Sequence, residues 1–353
     1  MLWLAGLMGL MAVGTVTFID PQFLRDEDDE NVDAVDDAAE PTEDATSFIL
    51  PADNFEADYD PRGGDDAALL DPPDPESTEA VILIDGSQSG GETRGTVQDD
   101  NIRGFEGEDT LVGGDGDDEL HGDAGDDVLS GDAGNDTLHG DGGNDAIFGG
   151  DEDDILFGHN AEDALYGGAG SDALQGSAGN DHLSGENGED TLQGGLDDDT
   201  LIGGFGSDAL FGGWGDDVLS GLMRDANGND GDDSDFLNGG GGDDSILVGA
   251  GDIVTAGDGA DEIVLGDWLA SGESAQVTDF SPLEDNLVLI WDDSVGSENE
   301  PQIQITFDPE NEDQSLVMLD GAVVATVNGN DLLPSDIALI PLSTATHLGL
   351  AAS

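Results

Sequence analysis

The chain has 353 residues, 84 of them acidic against five basic, for a formal net charge of −79. All five basic residues are arginine, which excludes the clustered cationic surface that nucleic acid or an anionic membrane requires. Repulsion on this scale opposes any compact state until divalent cations neutralise it, and with no cysteine in the chain no disulfide offsets it.

Residues 1–19, MLWLAGLMGLMAVGTVTFI, form an uncharged apolar run close to the roughly 20 residues that span a bilayer. The first basic residue is Arg25 and no small-residue cleavage site is clear, so the run reads as an uncleaved membrane anchor, as an atypical export signal or as a misassigned start. Residues 20–94 read as an acidic disordered spacer, rich in Asp, Glu, Pro and Ala and without periodicity. Near its end Val81–Ile84 is a candidate first edge strand or part of a cap.

From Gly104 to Ser220 the chain keeps a strict nine-residue beat of glycine-rich turn, aspartate and one leucine, so a small unit is being stacked. The sixth position is always aspartate: Asp109, Asp118, Asp127, Asp136, Asp145, Asp154, Asp163, Asp172, Asp181, Asp190, Asp199, Asp208 and Asp217. The eighth is always leucine, except for Ile147. This predicts a six-residue turn followed by a three-residue strand whose middle side chain points inward, with positions seven and nine facing solvent. Strands so short need partners, so two units per coil would stack leucines from both faces into one thin core, a parallel β-roll. The fifth position varies among Asp, Asn, Glu and Ser while the sixth does not, which marks the sixth as a ligand rather than a turn former. Glu152, Ala161 and Asp197 replace the fourth-position glycine, which predicts altered turn geometry and the sites least suited to an ion. Asp123, Asp132 and Asp141 replace the second glycine, a milder departure.

The beat extends in both directions. Residues 95–103 form a leading unit that retains Asp100 and Ile102. Residues 221–238 lack two clean motifs but span eighteen residues, read here as one full turn, after which Asp235 and Leu237 return in phase. Residues 239–247 are again a good unit with Asp244, residues 248–255 are one short, and residues 256–264 close the array with Asp261. The roll is therefore placed at 95–264.

Units such as GGDGDDELH (113–121) and GGWGDDVLS (212–220) resemble the GGxGxDxUx nonapeptide of the RTX, or hemolysin-type, calcium-binding family. The resemblance implies a right-handed β-solenoid in which turn carbonyls and the sixth-position aspartates, Asp109 through Asp217 with Asp235, Asp244 and Asp261, hold multiple Ca²⁺ ions between successive turns. The chemistry agrees, because a hard cation prefers carboxylate and carbonyl oxygens and glycine lets the backbone wrap around it. Folding and metal binding would then be one event.

Residues 265–353 read as a β-rich C-terminal cap, with strand-like runs at 275–280, 286–291, 302–307, 315–319 and 322–327 and a hairpin signal at Asp320-Gly321. The segment VTDFSPLEDNLVLI (277–290) is similar to the region that caps the roll in secreted members of the family. The tail, 337–353, is apolar and compatible with a C-terminal type I secretion signal.

The whole reads as an all-β, secreted or cell-surface calcium-binding protein whose partners are calcium ions and, through the family, the type I secretion machinery. The alternative is a calcium-stabilised adhesin or surface-layer component whose C-terminal domain binds a cell-surface or polysaccharide ligand. A hydrolase or epimerase accessory module is the third reading. No enzyme is expected: there is no HExxH, no GxSxG and no cysteine, and His347 is the only histidine after His182. His121 and His139, eighteen apart, fit either a surface ladder or a transition-metal pair. Phe148, Phe157, Tyr166 and Phe211 are a candidate contact surface or single exposed aromatics.

Overall fold

The computed structural model describes residues 82–345, apart from 87–88, 225–229, 231, 267, 270–272, 292, 294–299, 310, 312 and 330–331. The apolar run 1–19, the spacer as far as residue 81 and the tail beyond residue 345 lie outside the described residues.

Two parallel sheets, of fourteen and twelve strands, share the repeats alternately. Within the roll, consecutive strands fall in opposite sheets, and each strand pairs in parallel with the one a full turn away. Leu120 is thus opposite Leu138, and Leu165 opposite Leu183. Every eighth-position side chain is buried in the space between the sheets, most at 0% exposure. The result is the parallel β-solenoid that the beat predicts.

The strands are longer than the expected three residues. Each regular strand, such as Glu119–Ala124 or Ala164–Ala169, runs six residues, from position seven of one unit through position three of the next. Its burial alternates, so positions eight and one are enclosed while seven and nine are partly or fully open. Only positions four to six remain as turn. Glycines at the start of a unit look like turn residues, yet a ladder of backbone hydrogen bonds needs no side chains to form.

Fourth-position glycines adopt positive φ, from +110° at Gly107 to +153° at Gly170. A Cβ at Gly125 or Gly188 would overlap the carbonyl oxygen of Gly107 or Gly170 one turn earlier. Glu152, Ala161 and Asp197 keep the left-handed backbone but at +78°, +79° and +74°. The altered geometry expected there is a φ adjustment of this kind. The neighbouring links are unchanged, with Asp154, Asp163 and Asp199 N–H each donating to the next aspartate at 2.8 Å.

The irregular segment 221–238 corrects a second expectation. Leu210 pairs with Leu237 and Leu219 with Ile246, a separation of 27 rather than eighteen residues in each case. The segment therefore advances the roll by one nonapeptide step while spending eighteen residues, instead of forming a full turn. Leu237 lies in the sheet opposite Leu219. The short unit that follows is accommodated by 17-residue spacings, Leu237 to Val254 and Ile246 to Ile263.

Ile82–Asp85 pairs with Asp100–Glu106 at the start of the larger sheet, and Glu92–Arg94 with Thr110–Asp115 at the start of the smaller. Past Val264 both sheets run on. Ala275–Val277 joins Ile253–Asp258, and Asn286–Trp291 joins Glu262–Gly266. Ala322–Asn328 extends the larger sheet in parallel, and Gln314–Leu319 and Ile303–Phe307 then add antiparallel. Asp320 (φ +51°) and Gly321 (φ +90°) make the hairpin turn between the two longest of these, with the left-handed pair that the Asp-Gly signal predicts. Ile337–Pro341 is the last strand of the smaller sheet. The core here broadens: Trp268, Leu287, Leu289, Ile290, Val317 and Val324 are all buried.

Candidate functional site

The sixth-position aspartates line the two edges of the roll as continuous ladders. One edge carries Asp100, Asp118, Asp136, Asp154, Asp172, Asp190, Asp208, Asp235 and Asp252; in each step the backbone N–H of one donates to Oδ1 of the next, at 2.7–2.9 Å. The other carries Asp109, Asp127, Asp145, Asp163, Asp181, Asp199, Asp217, Asp244 and Asp261 in the same way. Asp285 closes this second ladder, accepting from Asp261 N–H at 3.3 Å. Every one of these side chains is at most 8% exposed.

The two oxygens of each carboxylate have different fates. From Asp118 onward Oδ1 ties one turn to its neighbour, whereas Oδ1 of Asp100 and Asp109, at the start of the two ladders, has no partner. Oδ2 is buried and has no hydrogen-bond partner in Asp109, Asp118, Asp127, Asp136, Asp145, Asp154, Asp163, Asp172, Asp181, Asp190, Asp199, Asp208, Asp217, Asp235, Asp244 and Asp261. A buried carboxylate oxygen without a donor costs far more than a hydrogen bond returns, so it needs a cation or a proton.

The surrounding backbone is shaped to this oxygen. Oδ2 lies over the first-position glycine of its own unit: a Cβ on Gly104 would come within 3.0 Å of Asp109 Oδ2, and one on Gly131 would overlap Asp136 Oδ2. The fourth-position carbonyl points across the gap toward the matching residue on the next turn, as Gly107 does toward Gly125. Carboxylate and carbonyl oxygens gathered in one glycine-lined gap are the donor set of a hard divalent cation, so the residues fit Ca²⁺.

Burial among like charges raises the carboxyls far above 3.8. Desolvation is the first cause throughout; the backbone hydrogen bond to the carboxylate opposes it, and neighbouring acidic groups add to the rise. Asp118, Asp127, Asp145, Asp172, Asp181 and Asp217 are pushed up to about 6. Asp136, Asp154, Asp163, Asp190, Asp199 and Asp244 reach about 7. Asp235 goes highest, to about 9, through burial and then the charge of Asp252.

Asp252 and Asp285 differ from the sixteen. Asp252 Oδ2 accepts Gly249 N–H at 2.6 Å and Asp285 Oδ2 accepts Ser281 N–H at 2.7 Å, so both ladders end on a carboxylate satisfied by its own chain. Sequence reasoning passed over Asp252 because its unit is one residue short; the GAGD run before Ile253 was the available signal. It also passed over Asp232, which lies off the beat. One carboxylate oxygen each from Asp208, Asp232 and Asp235 lie within 4.8 Å of one another, the one such group among the described residues.

The histidines lie apart from this edge chemistry. The ring of His121 stacks on that of His139 at 4.5 Å, and His139 stacks on Phe157 at 4.7 Å, as a ladder on one sheet face. His139 Nδ1 and His159 Nε2 share a hydrogen bond of 3.0 Å, and His121 Nδ1 lies 3.4 Å from Asp141 Oδ2. Phe148 and Tyr166 stack at 5.1 Å on the opposite sheet.

The profile of the RTX calcium-binding nonapeptide repeat matches residues 94–120, 103–138, 139–174, 166–201, 193–222 and 227–252. The interval it leaves, 223–226, falls within the irregular segment 221–238. A search of curated proteins found no match. Repeat, edge chemistry and profile agree: residues 94–252 carry RTX calcium-binding nonapeptide repeats.

Proposed function

We propose that the sixteen aspartates from Asp109 to Asp261 are Ca²⁺ ligands on both edges of the roll, and that the chain is a secreted or cell-surface protein whose roll folds on binding calcium outside the cell. The observation that carries the reading is the buried, unpartnered Oδ2 repeated at each of the sixteen. Bound calcium would supply the positive charge that the edges lack. The chain's own part is to order the glycine turns, present Oδ2 and lock each turn through Oδ1. In a low-calcium cytosol the charge of −79 favours the open chain. Outside, calcium near the millimolar range suits sites of the affinity common in extracellular modules, about 10⁻⁴ to 10⁻³ M.

In this arrangement residues 1–19 serve as anchor or export segment, 20–94 as a spacer whose final strands, Ile82–Asp85 and Glu92–Arg94, already pair with the roll, 95–264 as the calcium roll and 265–353 as cap and secretion signal. The role is structural rather than catalytic. Calcium titration of the full chain followed by far-UV circular dichroism, with magnesium as control, tests it. The expected result is a large gain of β-signal with calcium and little with magnesium; a full β-signal in excess chelator overturns the proposal.

A further inference from the structure

We infer that the turn at the irregular segment 221–238 is a separate, three-carboxylate calcium site, with Asp232 joining Asp208 and Asp235 as a ligand that the nonapeptide beat does not encode. The inference rests on the proposed calcium function and goes beyond it by assigning a residue, a place and a rank among the sites.

Elsewhere on this edge each gap lies between two sixth-position aspartates, one per turn. Between Asp208 and Asp235 the chain takes 27 residues rather than eighteen, and the surplus returns a third acid to the gap. Asp232 is positioned, not merely nearby: its Oδ1 accepts Gly206 N–H at 2.7 Å and Asp233 N–H at 2.9 Å. Gly206 is the fourth-position residue of the unit that contains Asp208, so this contact fixes Asp232 against the turn itself. Asp232 Oδ2 is buried and makes no hydrogen bond.

Asp208 and Asp235 provide the independent sign of a ligand. They are 3% and 2% exposed, and the Oδ2 of each is without a partner. A spread of 4.8 Å among the three oxygens is one that a single Ca²⁺ spans, since ligands at about 2.3–2.6 Å lie at most about 5 Å apart across the ion. The charges acting most strongly on Asp235 are Asp252, Asp208 and Asp232, all acidic. A third carboxylate raises the charge presented to the ion, and ligand charge count is what tunes such sites toward tighter binding. The site would be the first to fill as calcium rises.

The test is a calcium isotherm on the full chain by titration calorimetry, for wild type, Asp232→Asn and Asp233→Asn. Asparagine at 232 keeps an oxygen for Gly206 N–H while removing the charge; Asp233 is exposed and controls for the loss of one charge from the same loop. The wild type should show one tight step ahead of the main transition. Asp232→Asn should weaken that step by about tenfold or more, while Asp233→Asn leaves it in place and all three reach the same β-signal at saturation. A single undivided wild-type transition overturns the inference whatever the variants do, and so does an Asp232→Asn isotherm that matches Asp233→Asn. Absence of any calcium binding by wild type would instead remove the underlying function.

Discussion

Asp163→Asn separates the two duties of a ladder carboxylate, and its effect should change sign with calcium. Asp163 lies mid-ladder and is 3% exposed; its Oδ1 accepts Asp145 N–H at 2.8 Å and its Oδ2 is bare. Burial first, then the charges of Asp145 and Asp181, push it from 3.8 to about 7. That is roughly a thousandfold in proton affinity, an upper limit of about 4 kcal/mol for holding the charged form in the fold at neutral pH. Solvent screening at the edge of the roll reduces this to roughly 2 kcal/mol. Asparagine retains the acceptor for Asp145 N–H and removes the charge. In chelator at pH 7 the variant should therefore gain about 2 kcal/mol, roughly a thirtyfold higher ratio of folded to unfolded chain. In saturating calcium it lacks a charged ligand and should melt earlier than wild type. Urea unfolding followed by circular dichroism, run in chelator and in calcium, reads both effects. Equal destabilisation in the two conditions would refute the reasoning, because Asp163 would then act only as a turn residue.

Three further outcomes follow from the same geometry. Because the folded-state carboxyls of Asp136, Asp154, Asp190 and Asp199 stand near 7 against 3.8, the stability they contribute is complete below about 4 and is lost as pH rises through about 7. Acidifying the calcium-free chain from pH 7 toward pH 4 should thus increase the far-UV β-signal, and a decrease would contradict the assigned shifts. Ala161→Gly relieves a left-handed alanine at φ +79° and should raise calcium-loaded stability by about 1 kcal/mol, seen as a higher melting temperature. Leu165→Ala empties a fully buried position between Ile147 and Leu183 and should cost about 2–5 kcal/mol in saturating calcium; a loss in urea unfolding well under 1 kcal/mol would mean the thin core is not what holds the sheets together.

Much of this was legible because one residue type per position has one physical task. Aspartate at six and leucine at eight were sufficient to derive two sheets, a thin core and acid-lined edges. Strand length was not legible, since the glycines at positions one and two have no side chain to report that their backbone is paired. The segment 221–238 was misread for a different reason. A nine-residue beat returns in phase whether nine or eighteen residues intervene, so counting cannot say which sheet Leu237 enters; only the pairing with Leu210 does. Asp232 left no trace in the pattern because an off-beat acid in an acid-rich loop looks like solvated charge until Gly206 N–H is found holding it.

On the proposed calcium function, the division of labour within each carboxylate would make binding and folding one event along the roll but not at its end. From Asp118 to Asp261 the same side chain clamps the preceding turn through Oδ1 and leaves Oδ2 uncompensated, so a turn cannot form cheaply while its site is charged and empty of cation. One buried leucine per unit offers little to set against that. At Asp252 and Asp285 the second oxygen is taken by Gly249 and Ser281, and beside them Trp268, Leu287, Leu289, Val317 and Val324 build an apolar cluster wider than any in the repeats. The strands past Val264 therefore present a register-bearing edge whose stability does not depend on neutralising a carboxylate. In a quasi-one-dimensional stack, where each turn contacts only its neighbours, such an edge is expected to order first, and each turn toward Gly104 would add when its own two ladder aspartates are neutralised.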